Sequence, residues 1–289
     1  MAADRGSDGN EDQLDADHRG IEFMNVMTSR NALKREVVLL GEVELEVFDG
    51  GSGQPLLFLH GGSGSLRNAD VLGLLCQTFR VIAPSHPGFG GSALPLWIDS
   101  IDDFAHIHLE LIERLGLDKV VLVGHSIGGW TAAEMATMAT NRIDRLVLVG
   151  PVGIKVGPVD RLDVPDIYAM PQDKLDELLY VEPDKWRLDP TKLTDDEALE
   201  IARNRQTLAL VTWEPYMHNP KLKHRLHRVD RPTLVVRGEQ DGLVSANYAL
   251  AYARLIPGAC VETVTAAGHS PHLEQPARFV EIVQRFAGH

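Results

Sequence analysis

The chain has 289 residues, 44% hydrophobic and 24% charged, proportions that fit a globular protein with room for a sizeable core. Its 41 acidic residues against 28 basic ones leave a net charge of −13, which argues against a nucleic-acid partner and against docking on anionic lipid. No apolar run approaches the ~20 residues that span a bilayer, and Cys76 and Cys260, far apart and in no CxxC arrangement, read as two buried thiols of a reducing compartment.

Residues 1–20, MAADRGSDGNEDQLDADHRG, lack the basic start and apolar middle of a secretory leader and read as a disordered acidic tail. A cytoplasmic protein is the expectation that follows. From about Arg35, "REVVLLGEVELEVFDGG" reads as two strands around a turn glycine, and "PLLFLHGG" as a buried strand ending in His-Gly-Gly. "LRNADVLGLLCQTF" reads as a helix, "RVIAP" as a strand, and "IDDFAHIHLELIERLGL" as an amphipathic helix with an acidic first turn. "KVVLVG", "GGWTAAEMATMAT" and "IDRLVLVGP" continue the alternation as strand, helix and strand. Short, wholly apolar strands alternating with helices predict an α/β fold, a mostly parallel, doubly wound sheet covered on both faces.

The alternation stops between about Pro151 and Arg231. There the chain is rich in proline and charge, with helical patches such as "PQDKLDELLYV" and "TDDEALEIARNRQTLALVTW" and no buried strand. It resumes with "PTLVVRGEQDGLV", "ANYALAYARLI", "CVETVTAAGHS" and "QPARFVEIVQRF". One core, residues 21–150 and 231–289, interrupted by a helical insertion at 151–230, accounts for this order.

Gly124-His125-Ser126-Ile127-Gly128 matches G-x-S-x-G between a predicted strand and a predicted helix, the context that the motif needs. A sharp strand-to-helix turn exposes the serine hydroxyl and aims the helix's first amides at the reacting atom. A serine needs a base. His269 follows the last apolar strand at the carboxyl edge of the sheet, and His272 is its local rival; His106, His108, His224 and His227 lie on helical patches and read as solvated or partly buried, and His125 as packing or hydrogen-bonding beneath the turn. The imidazole needs a carboxylate to fix its tautomer. Asp241 ends the strand "PTLVVRGEQD", with Glu239 as competitor. Backbone donors for a developing oxyanion are expected at Ile127 and in the loop His60-Gly61-Gly62-Ser63-Gly64, Gly62 first and Ser63 next.

Together "LHGGSG", "APSHPGFGGS", "GHSIGG", "RGEQDGLV" and "AAGHSPHLEQP" resemble the α/β-hydrolase fold family from Arg35 onward, in the chain order Ser126, Asp241, His269. The resemblance implies that the insertion forms a lid over the active site. Ser63, Trp130, Trp213, Tyr216 and Met217 then become candidates to line the substrate pocket, with ordinary core or lid packing as the other role of the aromatic residues and Met217. The family's dehalogenases and epoxide hydrolases carry aspartate where this chain has Ser126. Its carbon–carbon hydrolases of ring-cleavage products often carry tryptophan directly after the histidine, where Ser270 stands here. At Ser85 a common family form has an acidic residue, so one charge is missing there.

The expectation is a serine hydrolase of small, fairly apolar carboxylic esters or lactones, acting through an acyl-enzyme, with a carbon–carbon hydrolase as the alternative and an amidase or a non-enzymatic receptor behind it. Its partner is a small-molecule substrate, with no nucleic acid, membrane, metal or cofactor expected, and the oligomeric state is left open.

Overall fold

Residues 33–289, those that this computed structural model describes, form eight strands and the helices between them. The tail expected at 1–20 and the first residues of the core, from 21, lie outside the described residues. The strands are β1 (Leu33–Leu40), β2 (Val43–Gly51), β3 (Pro55–Leu59), β4 (Arg80–Pro84), β5 (Val120–His125), β6 (Ile143–Val149), β7 (Thr233–Gly238) and β8 (Cys260–Val264). They lie in one sheet in the order β1-β2-β4-β3-β5-β6-β7-β8. β1 and β2 form an antiparallel pair, β2 meets β4 antiparallel, and every pairing from β4 to β8 is parallel.

The continuous apolar runs of β3, β5 and β6 follow from burial on both faces, because neighbouring residues point to opposite sides. Leu57, Leu59, Leu122 and Leu148 enter one core with helices α2 (Ile101–Arg114), α3 (Ile127–Met138) and α7 (Ala246–Leu255). Leu56, Phe58, Val121 and Val147 enter the other with α1 (Ala69–Leu75) and α9 (Pro276–Ala287). α9 shows why the pattern works: Phe279, Ile282 and Val283 recur at helical spacing, and all three are buried. A short helix, α8 (Pro271–Glu274), precedes it.

Between β6 and β7 lie α4 (Gln172–Leu179), α5 (Pro183–Trp186) and α6 (Asp195–Thr212), and no strand of the sheet. α6 starts at a reciprocal cap in which Thr194 and Glu197 satisfy each other's backbone amides. Among the bonds that tie this segment to the core, Thr207 Oγ1 donates to the Gly88 carbonyl at 3.0 Å, Gly90 N to Asn204 Oδ1 at 3.1 Å and Gly242 N to the Leu178 carbonyl at 3.0 Å. The cysteines are free; Cys76 is half-buried, and Cys260, on the edge strand β8, is exposed rather than buried as expected. Among the described residues no helix is long and apolar enough to cross a membrane.

The strand order reverses at β3, whose neighbours are β4 on one side and β5 on the other. A crevice forms beyond the carboxyl ends of two parallel strands whose chains leave in opposite directions. The loop after β3 and the turn after β5 open into it.

Candidate active site

Ser126 joins β5 to α3 with φ 55° and ψ −115°, a backbone that an L-residue adopts only under strain. The turn closes because its flanks have no side chains. A Cβ on Gly124 would stand 2.2 Å from the Gly128 carbonyl oxygen, and one on Gly128 would stand 2.2 Å from that of Leu59. The turn thus packs directly on the end of β3. Ser126 N donates to the Val149 carbonyl at 2.9 Å, fixing the turn against β6 as well.

Asp241 lies on the loop after β7 and is buried. One carboxylate oxygen accepts the amides of Leu243 and Val244 at 2.9 and 2.8 Å, which leaves the other to face His269 Nδ1 at 3.0 Å. Nδ1 therefore carries the proton, and Nε2 is the basic nitrogen. Nε2 is buried and has no hydrogen-bond partner among the described residues. Ser126, Ile127, His269, Gly62 and Ser63 all border one cavity of about 880 Å³. Of the two alternatives, Glu239 is exposed, and His272 is buried, its Nε2 on Asn68 Oδ1 at 3.2 Å. Burial, with the charge of His269 adding to it, holds His272 down to about 3. His125 Nε2 donates to the His269 carbonyl at 3.0 Å, so it braces the backbone of His269 from below the turn.

Of the residues expected in the pocket, Ser63 and Met217 border this cavity, but Trp130, Trp213 and Tyr216 do not. Trp130 points into the core beneath Gly153, where a Cβ would meet its ring at 2.3 Å, and its Nε1 donates to Glu134 at 3.2 Å. Trp213 and Tyr216 border a separate cavity of about 510 Å³ with Met217. α6 ends at Thr212, and the turn that follows carries both rings away from Ser126.

Two buried groups behind the site escaped the sequence reading. His60 Nδ1 donates to the Gly61 carbonyl at 2.7 Å, so its Nε2 accepts the His86 amide at 3.0 Å. His86 Nε2 donates to the His60 carbonyl, which leaves its Nδ1 to accept His108 Nε2 at 2.7 Å. Burial keeps the three imidazoles neutral, His60 near 4 and His108 near 3. His108 is thus wholly buried, not solvated; its place four residues after Phe104 on the apolar stripe of α2 was the signal for that. Glu46 on β2 is the second group. It accepts Ser85 Oγ at 2.6 Å and the Gly91 amide at 3.0 Å. Burial opposes its ionisation, but those bonds and Arg35 outweigh the penalty and hold it below the usual carboxylate range. The charge missing from Ser85 is therefore supplied from β2. Among the described residues no group of three His, Cys, Asp or Glu side chains is placed to hold a metal.

A family model described as "Alpha/beta hydrolase family" matches residues 56–282. The chain is 27% identical over 274 residues to the 2-hydroxy-6-oxo-6-(2'-aminophenyl)hexa-2,4-dienoic acid hydrolase of Metapseudomonas resinovorans, covering 89% of this chain and 92% of that protein. It is 28% identical over 276 residues to the 2-hydroxy-6-oxo-2,4-heptadienoate hydrolase of Pseudomonas putida, covering 90% and 98%. Among solved structures, a thermophilic esterase from Thermogutta terrifontis, with malate bound, superposes with a TM-score of 0.70 at 26% identity, covering 88% of this chain and 97% of that one.

Proposed function

The chain belongs to the alpha/beta hydrolase family, and from that premise we propose that it cleaves small, fairly apolar carboxylic esters or lactones with Ser126 as nucleophile. The observation that carries this reading is the pairing of His269 Nδ1 with Asp241, which leaves a buried, unpartnered Nε2 at the wall of the cavity that also holds Ser126. His269 takes the serine proton as the hydroxyl attacks the carbonyl, and Asp241 steadies the imidazolium. The amides of Ile127 and Gly62 receive the oxyanion, an effect worth about 3 to 4 kcal/mol per donor. His269 then protonates the leaving group and activates the water that frees the acyl chain. Residues 151–230 act as a lid in this scheme, a reading supported by Leu179, Leu208 and Met217 of that segment, which border the same cavity as Ser126.

The second reading, carbon–carbon cleavage of a ring-cleavage diketone by the same three residues, is favoured by the two dienoate hydrolases among the relatives. It differs in the bond that leaves. Fluorophosphonate labelling with mapping of the adduct tests the nucleophile; a site other than Ser126 overturns both readings. A substrate panel of esters, lactones, amides and ring-cleavage diketones then separates them. Turnover confined to the diketones overturns the ester reading.

A further inference from the structure

The active-site cavity is walled mostly by apolar side chains, among them Ile127, Val152, Leu175 and Leu208. Arg67 interrupts that wall. It is half-buried, between the Gly62 loop and α1, and among the described residues no carboxylate pairs with it. Among the described residues its side chain makes one hydrogen bond, from Nη1 to the hydroxyl oxygen of Tyr180 at 3.1 Å. The direction of that bond matters. Tyr180 accepts through its oxygen, so its own O–H hydrogen remains to be donated, and no acceptor for it is present among the described residues. Tyr180 is 7% exposed and also borders the cavity.

The other charged side chains there are different. Asp176 is met by Gln172 Nε2 at 2.8 Å and by Arg187, and Arg205 donates to Gln172 Oε1 at 3.1 Å. Asp173 and Glu197 are exposed. Arg67 and Tyr180 thus present adjoining donors that meet no acceptor for their remaining hydrogens among the described residues; Asn204 Nδ2, buried at the same cavity, is also without a partner, but it is neutral, and Arg205 is exposed. A guanidinium that has lost part of its water needs an anion to offset the loss, and a forked N–H set beside an O–H matches the paired oxygens of a carboxylate. Arg67 comes from the core and Tyr180 from the inserted segment, so an anion between them would bridge the two. The residue before Tyr180, Leu179, accepts the amide of His269 at 2.7 Å, which sets the pair on the side of the base.

We propose that Arg67 and Tyr180 form an anion subsite within the active-site cavity, and that the substrate carries a carboxylate besides the carbonyl that Ser126 attacks. The second clause rests on Ser126 as nucleophile; the first does not. The test is calorimetric titration of the full chain with phenylbutyrate and with the uncharged phenylbutyramide of the same shape. The acid is expected to bind at least about tenfold more tightly, the advantage shrinking to about twofold in Arg67→Gln and partly kept in Arg67→Lys. Tyr180→Phe should lose severalfold in acid affinity and little in amide affinity, and it carries the test if Arg67→Gln fails to fold by circular dichroism. Equal affinities in the unaltered protein, or an acid preference that survives Arg67→Gln or Tyr180→Phe unchanged, overturn the subsite. Binding requires no turnover, so a fluorophosphonate adduct mapped away from Ser126 would overturn the nucleophile and leave the subsite standing. A labelled Ser126 with no acid preference would overturn the subsite alone.

Discussion

The carbonyl oxygen of Leu179 accepts the backbone amide of His269 at 2.7 Å. The loop that carries His269, the proposed base, is therefore bonded to the inserted segment, not only to the sheet that it leaves. One residue earlier, Leu178 accepts the amide of Gly242, beside Asp241. The carboxyl end of α4 thus holds the base loop and the acid loop together, and movement of one disturbs both.

Glu274 reinforces that clamp. Its carboxylate accepts the Gly268 amide at 2.6 Å and the Val181 amide at 2.8 Å, joining α8, the base loop and the inserted segment. Glu274→Ala leaves both amides without an acceptor, at about 1 to 3 kcal/mol each where water cannot replace it. The thermal midpoint is expected to drop by several degrees and ester turnover to fall with it, whereas Glu274→Gln keeps one acceptor and loses less. Unchanged turnover in Glu274→Ala would mean that the base needs no such support.

Strain at Ser126 predicts an unusual stability result. A non-glycine residue at φ 55° costs about 1 to 3 kcal/mol, part of which glycine avoids. Ser126→Gly should lose labelling and turnover while its urea midpoint rises. A lower midpoint would show that the turn carries no strain that glycine relieves.

Asp241→Asn should cut kcat by about ten-thousand-fold, because an amide cannot hold the tautomer that leaves Nε2 free to accept a proton. Glu239 is exposed, so Glu239→Gln should change stability by less than about 0.5 kcal/mol and leave kcat near that of the unaltered protein. Steady-state rates on one ester decide this, and a greater loss from Glu239→Gln reverses the assignment.

Glu134, on the same helix as the nucleophile turn, is pushed up to about 7, by burial first and then by Asp102, against the pull of Asn219, Trp130 and Arg225. Its ordinary value is 4.5. Between those two values the folded protein keeps a proton that the unfolded chain releases. The stabilisation is therefore complete below about pH 4.5 and is lost as pH rises through 7, a change of up to about 3 kcal/mol. Urea midpoints at pH 5 and 8 should show this loss, and Glu134→Gln should flatten it. An equal slope in both proteins would assign the pH dependence to other groups.

The fold was legible because strands buried on both faces announce themselves as unbroken apolar runs, as in β3 and β5. The turn at Ser126 was legible from its glycines, and the places of Asp241 and His269 at the sheet edge from where their strands end. Trp130, Trp213 and Tyr216 were misplaced because an aromatic ring reads alike whether it faces a pocket, a core or a separate cavity. His108 was read as solvated or partly buried because a polar residue on a buried helix face stands out only when its partner is known, and that partner, His86, is 22 residues away.

By itself, the sequence determined what local chemistry dictates: the alternation of strand and helix, the strained serine turn, and the order in which Ser126, Asp241 and His269 meet the sheet edge. Only the tertiary structure decided what depends on contacts between distant segments. Among these are the bond from Leu179 to His269, the buried Glu46 that answers Ser85, and the meeting of Arg67 with Tyr180 across 113 residues of chain. Such pairs leave no periodicity, since each partner is chosen by the geometry of the folded core and not by its neighbours in the chain.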